Sequence, residues 1–256
     1  MKRPKISMLV PGKSNANKFF SIVLKKELLK MPEYFTTWSK IFVVSGINGD
    51  FHTLKKILIK NGIINTKYQW TFEDGRLVIL GNCFDEKKLE CLWLIYSLEE
   101  KAEKLGGHVH FIPGKKELEN LNGGWRDKHP RYAMRASKYG KRLCVLYDGN
   151  GELYRWLRVK NVAERIGDFL FTHGTLDPYD LAAEFPDRLE EVLRSSGARL
   201  IVAGNVSYPG VTCFLNGKLI NVNTGRNEGI SRGLLIYPES FCIADSNGTM
   251  EELGLR

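Results

Sequence analysis

Five short polar motifs, each placed directly after an apolar run, hold most of the side chains in this chain that could do chemistry. In order they are Ser45-Gly46-Ile47-Asn48-Gly49-Asp50, Gly81-Asn82-Cys83-Phe84-Asp85, Gly114-Lys115-Lys116-Glu117, Thr172-His173-Gly174 and Gly204-Asn205. They offer the imidazole of His173, the ammonium groups of Lys115 and Lys116, and the carboxylates of Asp85 and Glu117. Paired lysines are suited to holding an anion such as phosphate; matched with carboxylates they form a structural ion pair instead. Outside these motifs, His108-Val109-His110 alternates along a strand, so both imidazoles fall on one face. Such a pair can bind a metal or sit as a hydrogen-bonded part of the sheet surface. His52 and His129 show no convergent ligand spacing. Trp125-Arg126, Arg131-Tyr132 and Tyr154-Arg155-Trp156-Leu157-Arg158 mix aromatic and basic side chains. That mixture suits stacking on bases beside phosphates, and equally the Arg–aromatic packing of an ordinary protein surface. No Ser-His-Asp, Cys-His or P-loop pattern is present.

The elements that must position these residues follow from periodicity. Ile41-Phe42-Val43-Val44 is an apolar run of strand length, and Asp50 is placed to cap a helix carrying Leu54, Ile57 and Leu58 on one face. Tyr68–Phe72 and Leu77–Leu80 flank Glu73-Asp74-Gly75-Arg76, which reads as a hairpin. A helix over about 87–105 leads to a strand at Val109–Ile112; residues 117–165 are less regular. Phe169–Phe171 reads as a strand, 179–195 as a helix and Leu200–Val202 as a strand. Beyond Val211 the pattern becomes a meander, with turns at Asn216-Gly217 and Asn247-Gly248. Strand–helix alternation followed by a meander predicts a sheet-rich α/β core. Ahead of it, residues 1–39 read as a basic arm followed by an amphipathic helix, with Phe20, Val23, Leu24, Leu28 and Met31 at helical spacing and Pro32 ending it. Residues 40–256 form the main domain.

The chain of 256 residues is long enough for one domain with a large core, and its 43% hydrophobic and 26% charged content is that of a globular protein. No apolar stretch is long enough to cross a bilayer, and polar residues interrupt the segment after the basic Met1–Lys5, so membrane insertion and a signal peptide are not expected and a cytoplasmic location is. The five cysteines form no C-x-x-C pair and are expected as free thiols. Net charge is +9, and residues 1–40 carry nine Lys/Arg against two Glu. A second basic stretch spans 115–142. Such surfaces attract nucleic acid, other polyanions or acidic proteins, or simply keep the chain in solution.

Taken together, the five motifs resemble the calcineurin-like metallophosphoesterases, in the branch that includes the serine/threonine protein phosphatases. There they read Asp-x-His-Gly, Gly-Asp-x-x-Asp-Arg-Gly, Gly-Asn-His-Glu, a His-Gly and a Gly-His. The resemblance covers roughly residues 40–237 and implies a four-layer α/β/β/α sandwich with the site at the carboxyl ends of the central strands. It also implies a two-metal centre that clamps a phosphate and activates a water.

By the same resemblance, most of that centre is replaced. Gly46 and Asn48 stand where the first Asp and His belong, and Asn82 where the bridging Asp belongs. Lys115 and Lys116 replace the Asn and the catalytic His, and Asn205 replaces the last His. Glu86 stands for the substrate-holding Arg, and Asn223 for an Asp of a later segment. His173, Asp85 and Glu117 are kept. With carboxylates removed and ammonium groups added, a dication would meet positive charge with little to offset it. The expectation is therefore no catalytic residue, no metal and no cofactor, with Lys115 and Lys116 as candidate anion-binding groups. The function expected is that of an inactive pseudophosphatase, a structural or interaction subunit of a larger assembly. Its partner would be a protein, or a polyanion met through residues 1–40 and 115–142. The alternative is a phosphoesterase with an atypical or single-metal site built from His173, Asp85, Asn48 and Asn82.

Overall fold

Alternation of side chains along Ile41–Ser45 decides the architecture, because every residue of this strand is buried and successive ones face different cores. Ile41 and Val43 face a core shared with a second sheet; Phe42 and Val44 face a core shared with helices. A strand covered on both sides is a central strand in a layered protein. The computed structural model describes residues 3–9, 19–36, 38–83, 89–122, 151–174, 186–225 and 231–254.

Fourteen strands and five helices lie within the described residues. In chain order they are β1 (Lys5–Leu9), β2 (Phe19–Val23), β3 (Tyr34–Phe35), β4 (Ile41–Ser45), α1 (Phe51–Lys60), β5 (Arg76–Leu80), α2 (Glu90–Glu103), β6 (His108–Ile112) and α3 (Lys115–Leu121). There follow α4 (Glu152–Arg158), β7 (Ala163–Ile166), β8 (Phe169–Thr172), α5 (Pro186–Ser196), β9 (Leu200–Ala203) and β10 (Thr212–Phe214). The last are β11 (Leu219–Asn221), β12 (Arg232–Ile236), β13 (Phe241–Asp245) and β14 (Met250–Glu252). One six-stranded sheet runs β14-β13-β12-β4-β5-β6, with β4, β5 and β6 parallel. The other runs β10-β11-β9-β8-β7-β3, with β8, β9 and β11 parallel.

The sheets face each other across Ile41, Val43, Val78 and Leu80 from the first and Phe169, Phe171, Leu200 and Val202 from the second. The outer face of the first sheet is covered by α1, α2 and α4 through Leu54, Leu58, Leu92, Ile95 and Trp156. The outer face of the second is covered by α5, where Leu189 and Leu193 meet Ile201 and Leu219. This is the four-layer α/β/β/α sandwich. Each fully buried Leu, Ile or Phe stabilises it by roughly 1.5–3 kcal/mol.

Two expectations are corrected. Residues 19–23 are a strand, antiparallel to β1, and not the start of an amphipathic helix. The apolar residues at helical spacing also satisfy a period of two: Phe20 and Ile22 are buried while Ser21 between them is exposed. Phe20 stacks on Phe51, so this segment is continuous with the main core. Residues 34–35 go on to join the second sheet through β7. The hairpin over 68–80 is also absent. Only β5 is a strand; Trp70 makes a single bridge to Ile64, and a turn closed by Gly75 N–H to Phe72 C=O feeds β5 between two parallel neighbours. Parallel strands on both sides leave no edge of β5 for residues 68–72 to pair with. Asp50 caps α1 as its place predicts, accepting from Thr53 N–H (3.1 Å) and Thr53 Oγ (2.9 Å).

Candidate functional site

Parallel strands from both sheets end together, and all five motifs lie just past those ends: after β4, β5 and β6 on one sheet, β8 and β9 on the other. Side chains at the ends hold the sheets to each other. The Ser45 hydroxyl lies 2.5 Å from Leu80 C=O and 2.7 Å from Gly204 C=O, one donor shared between the two sheets. His173 Nδ1 lies 3.0 Å from Leu80 C=O. A carbonyl only accepts, so Nδ1 carries a hydrogen. His173 is 5% exposed, and its buried Nε2 has no hydrogen-bond partner among the described residues.

The first motif turns through left-handed backbone at Gly46 (φ 68°), Asn48 (φ 50°) and Gly49 (φ 73°). A β-carbon built on Gly46 would lie 2.1 Å from Asn223 Oδ1, so the Asn223 side chain occupies the room a residue at 46 would need. Asn223 is held there: its Nδ2 donates to Asn205 C=O (3.0 Å) and its Oδ1 accepts from Gly225 N–H (3.1 Å). Asn48 Nδ2 donates back to Gly46 C=O (3.0 Å), and Asn48 Oδ1 accepts from Lys116 Nζ (3.1 Å). Asn82 is left-handed too (φ 51°), and its carbonyl accepts from Asn48 N–H (2.5 Å). Glu117, fully buried, accepts from the backbone N–H groups of Asn82 (3.2 Å), Cys83 (2.8 Å) and Gly114 (3.0 Å). It fixes two motif loops against each other. Cys83 is fully buried, and burial pushes its thiol well above the usual range, so it is no thiolate nucleophile.

The structure thus brings Gly46, Asn48, Asn82, Lys116, Glu117, His173 and Asn205 into one contact network, with Lys115 on its rim. Asp85 and Glu86 lie outside the described residues, as do Trp125-Arg126, Arg131-Tyr132 and the basic stretch beyond residue 122. Two contributors have roles that the motifs do not tell: the Ser45 hydroxyl bonds to both sheets, and Asn223 contacts Gly46, which lies far away in sequence.

These residues do not fit the two-metal centre that the motif resemblance implies. Hard dications need carboxylates and imidazoles. Gly46 has no donor and no room for one, Asn48 already holds an ammonium group, and Asn82 and Asn205 are neutral amides. Among the described residues no group of three or more His, Cys, Asp and Glu could hold a metal ion. Among the described residues only His173 keeps the form of a ligand, a buried imidazole oriented by a carbonyl, with no partner there for its other nitrogen.

A cavity of about 790 Å³ opens beside His173. Among the described residues Lys115, Thr172, Gly174 and Asn205 line it with His173, and Leu118 and Val162 form part of an apolar wall.

The other candidates resolve as structure. His108 and His110 do share a face, ring centroids 4.5 Å apart, but Arg76 Nη1 lies 3.1 Å from His110 Nε2 and Glu164 Oε2 lies 2.5 Å from its Nδ1. Burial pushes His108 down to about 3 and Glu164 up to about 7. Trp156 is fully buried, stacked on Phe111 and bonded through Nε1 to Glu99, so its aromatic face is not offered to a base. Part of the amino-terminal positive charge is met within the fold: Arg3 pairs with Glu100, Lys25 with Glu99, Lys30 with Glu33 and Lys40 with Glu73. No helix among the described residues is long and apolar enough to cross a membrane.

No protein-family profile matches the chain. It is 25% identical over 178 residues to the Shewanella-like protein phosphatase 1 of Plasmodium berghei (strain Anka). That stretch is 65% of this chain and 49% of the relative, so the chain spans about half the length of the curated relative it matches. Among solved structures it is similar to the cold-active protein-tyrosine phosphatase of a psychrophilic Shewanella species. There the TM-score is 0.78 at 24% identity, covering 96% of this chain and 90% of that one. A protein serine/threonine phosphatase from Saccharomyces cerevisiae superposes with TM-score 0.56 at 18% identity, over 82% of this chain and 77% of that one. At these identities the likeness of structures establishes the fold.

Proposed function

We propose that this chain, which has the four-layer fold of the calcineurin-like metallophosphoesterases, is a pseudophosphatase. It keeps the sandwich, holds no two-metal centre and works as an interaction or structural subunit. The observation that carries this reading is the contact at Gly46. An Asn223 side chain stands 2.1 Å from where a first-motif side chain would begin, and two further hydrogen bonds hold it in place. The loss of the first ligand is thus built into the packing. The lysine at 116 supports it further, since its ammonium bonds to Asn48, the position that matches the first motif's histidine. Both lysines are exposed. They leave a basic rim for an acidic partner surface.

A second reading rests on His173. Nδ1 bonded to a carbonyl and Nε2 without a partner among the described residues is the arrangement of a metal-binding imidazole, and it supports a phosphoesterase with a single-ion site. Elemental mass spectrometry on protein purified without chelator, with and without added manganese, separates the two. The pseudophosphatase reading expects no stoichiometric metal and no hydrolysis of p-nitrophenyl phosphate. One bound equivalent with turnover favours the single-ion site, and about two equivalents per chain would remove the proposal altogether.

A further inference from the structure

We infer that a second cavity, at the opposite end of β6 from the five motifs, is a binding site for a free amino acid with an aliphatic side chain. This goes beyond the pseudophosphatase reading and does not depend on it. The cavity lies between α2, the start of β6, the end of α4 and the segment that follows β2. Its volume of about 260 Å³ is just under the roughly 300–1,000 Å³ of most ligand pockets, the room of one small metabolite. His108 and Val109 stand at its β6 wall, whereas the motif loop at Gly114 follows the far end of that strand.

The charges that line this cavity are sorted by depth. Inside, Lys25 and Lys160 share one carboxylate: Lys160 Nζ lies 2.6 Å from Glu99 Oε1, and Lys25 pairs with Glu99 Oε2. The side chains of Lys25, Lys160 and Glu99 are 20%, 8% and 5% exposed, so a surplus positive charge sits out of open solvent. Each ammonium group has three N–H donors and uses one on Glu99. His108 is held neutral by burial and does not alter this count. At the mouth the surplus is negative. Arg3 is matched by Glu100, while exposed Glu27 and Glu103 have no ion pair among the described residues. Counted together, three cations face four carboxylates, which disfavours a simple anion, and the two inner lysines disfavour a simple cation. Glu103 lies one turn of α2 from Glu99, so the two surpluses are about 6 Å apart, within reach of neighbouring groups on one small molecule. Leu28, Met31, Val109 and Val159 add an apolar wall. An amino acid answers each part. Its carboxylate accepts from the lysines, its ammonium donates to Glu27 and Glu103, and its side chain lies on the wall.

The test is calorimetric titration of the full chain at pH 7 with L-leucine, which is expected to bind with Kd below about 1 mM. Three analogues each lack one part: isoamylamine the carboxylate, isocaproate the ammonium, glycine the aliphatic side chain. Each is expected to bind about tenfold more weakly. The double variant Glu27→Gln/Glu103→Gln alters exposed side chains and is expected to keep the parent's Tm while binding leucine about tenfold more weakly, no better than isocaproate. The lysines are tested through the ligand instead, because removing Lys25 or Lys160 would leave buried Glu99 short of a cation. Absence of saturable leucine binding, any one of the analogues binding as tightly as leucine, or unchanged leucine binding by the glutamate variant overturns the assignment. Should that variant fail to fold, the analogue series decides alone. Leucine binding is read independently of the metal and hydrolysis measurements that decide the pseudophosphatase reading, so either can fail without the other.

Discussion

Single residues carry the difference between this chain and the metal-binding motifs it resembles, and Gly46 is the sharpest of them. Its φ of 68° and the 2.1 Å contact to Asn223 Oδ1 both oppose a side chain. Gly46→Asp is therefore expected to destabilise the protein by on the order of 1–3 kcal/mol and to bring no stoichiometric manganese with it. A thermal melt and a metal analysis check both; a variant of unchanged Tm that loads metal would show the Asn223 contact to be incidental. Glu117 is the opposite case, a residue kept from the motif for structural work. It serves three backbone N–H groups from full burial, so Glu117→Ala is expected to cost on the order of 3 kcal/mol in urea unfolding. At this scale the sequence was partly legible. Motif order and spacing located Gly46, Asn48, Asn82, Lys116, His173 and Asn205. What Glu117 does was not legible, because backbone donors have no letter in a sequence. The contact of Asn223 with Gly46 was hidden for a different reason: it joins positions in two different strand-end loops.

At the scale of elements, the central strands were readable because buried parallel strands are short unbroken apolar runs, as in Ile41–Val44 and Leu77–Leu80. The segment after residue 19 misled because Phe20, Leu24 and Leu28 fit a helix while Phe20 and Ile22 also fit a strand, and short apolar runs do not separate the two periods. The strand wins here through what it packs on. Phe20 stacks on Phe51, and Lys25 N–H beyond it bonds to Tyr96 OH of α2 at 2.7 Å. Phe20→Ala is expected to cost about 3–5 kcal/mol, whereas Ser21→Ala, on the exposed face, is expected to fall within about 0.5 kcal/mol. Chemical denaturation of the pair distinguishes the strand from a helix, which would not separate adjacent positions in this way. Further along the same segment, Lys25 reaches Glu99, which also binds Lys160 at 2.6 Å and Trp156 Nε1 at 3.0 Å. Both lysines hold the Glu99 carboxyl below its usual range against the opposing effect of burial.

For the whole molecule, titratable groups buried between the two sheets shape the response to acid. Burial is the main cause of the low His108 value of about 3, with His110 and Arg76 adding to it. In the unfolded chain the same imidazole takes its proton near 6.5. Its neutral state therefore contributes stability that is fully present above about 6.5 and lost as the pH falls towards 3. Glu164, raised to about 7 mainly by burial, acts in the opposite sense, with its contribution present below about 4.5 and lost as the pH rises through 7. Compared with the parent protein, His108→Gln is expected to gain stability progressively as the pH is lowered from about 6.5 to about 3, measured by urea melts across that range. A constant difference would place the imidazole proton elsewhere. The pairing of β4 with β12 has a further consequence, one of timing during synthesis. Val43 lies opposite Leu234, so the strand that anchors the central sheet waits for a partner made near the other end of the chain. Contacts this distant in sequence make folding slow, and until β12 emerges from the ribosome the unpaired edge of Ile41–Ser45 is a nucleus for aggregation that a chaperone would have to cover.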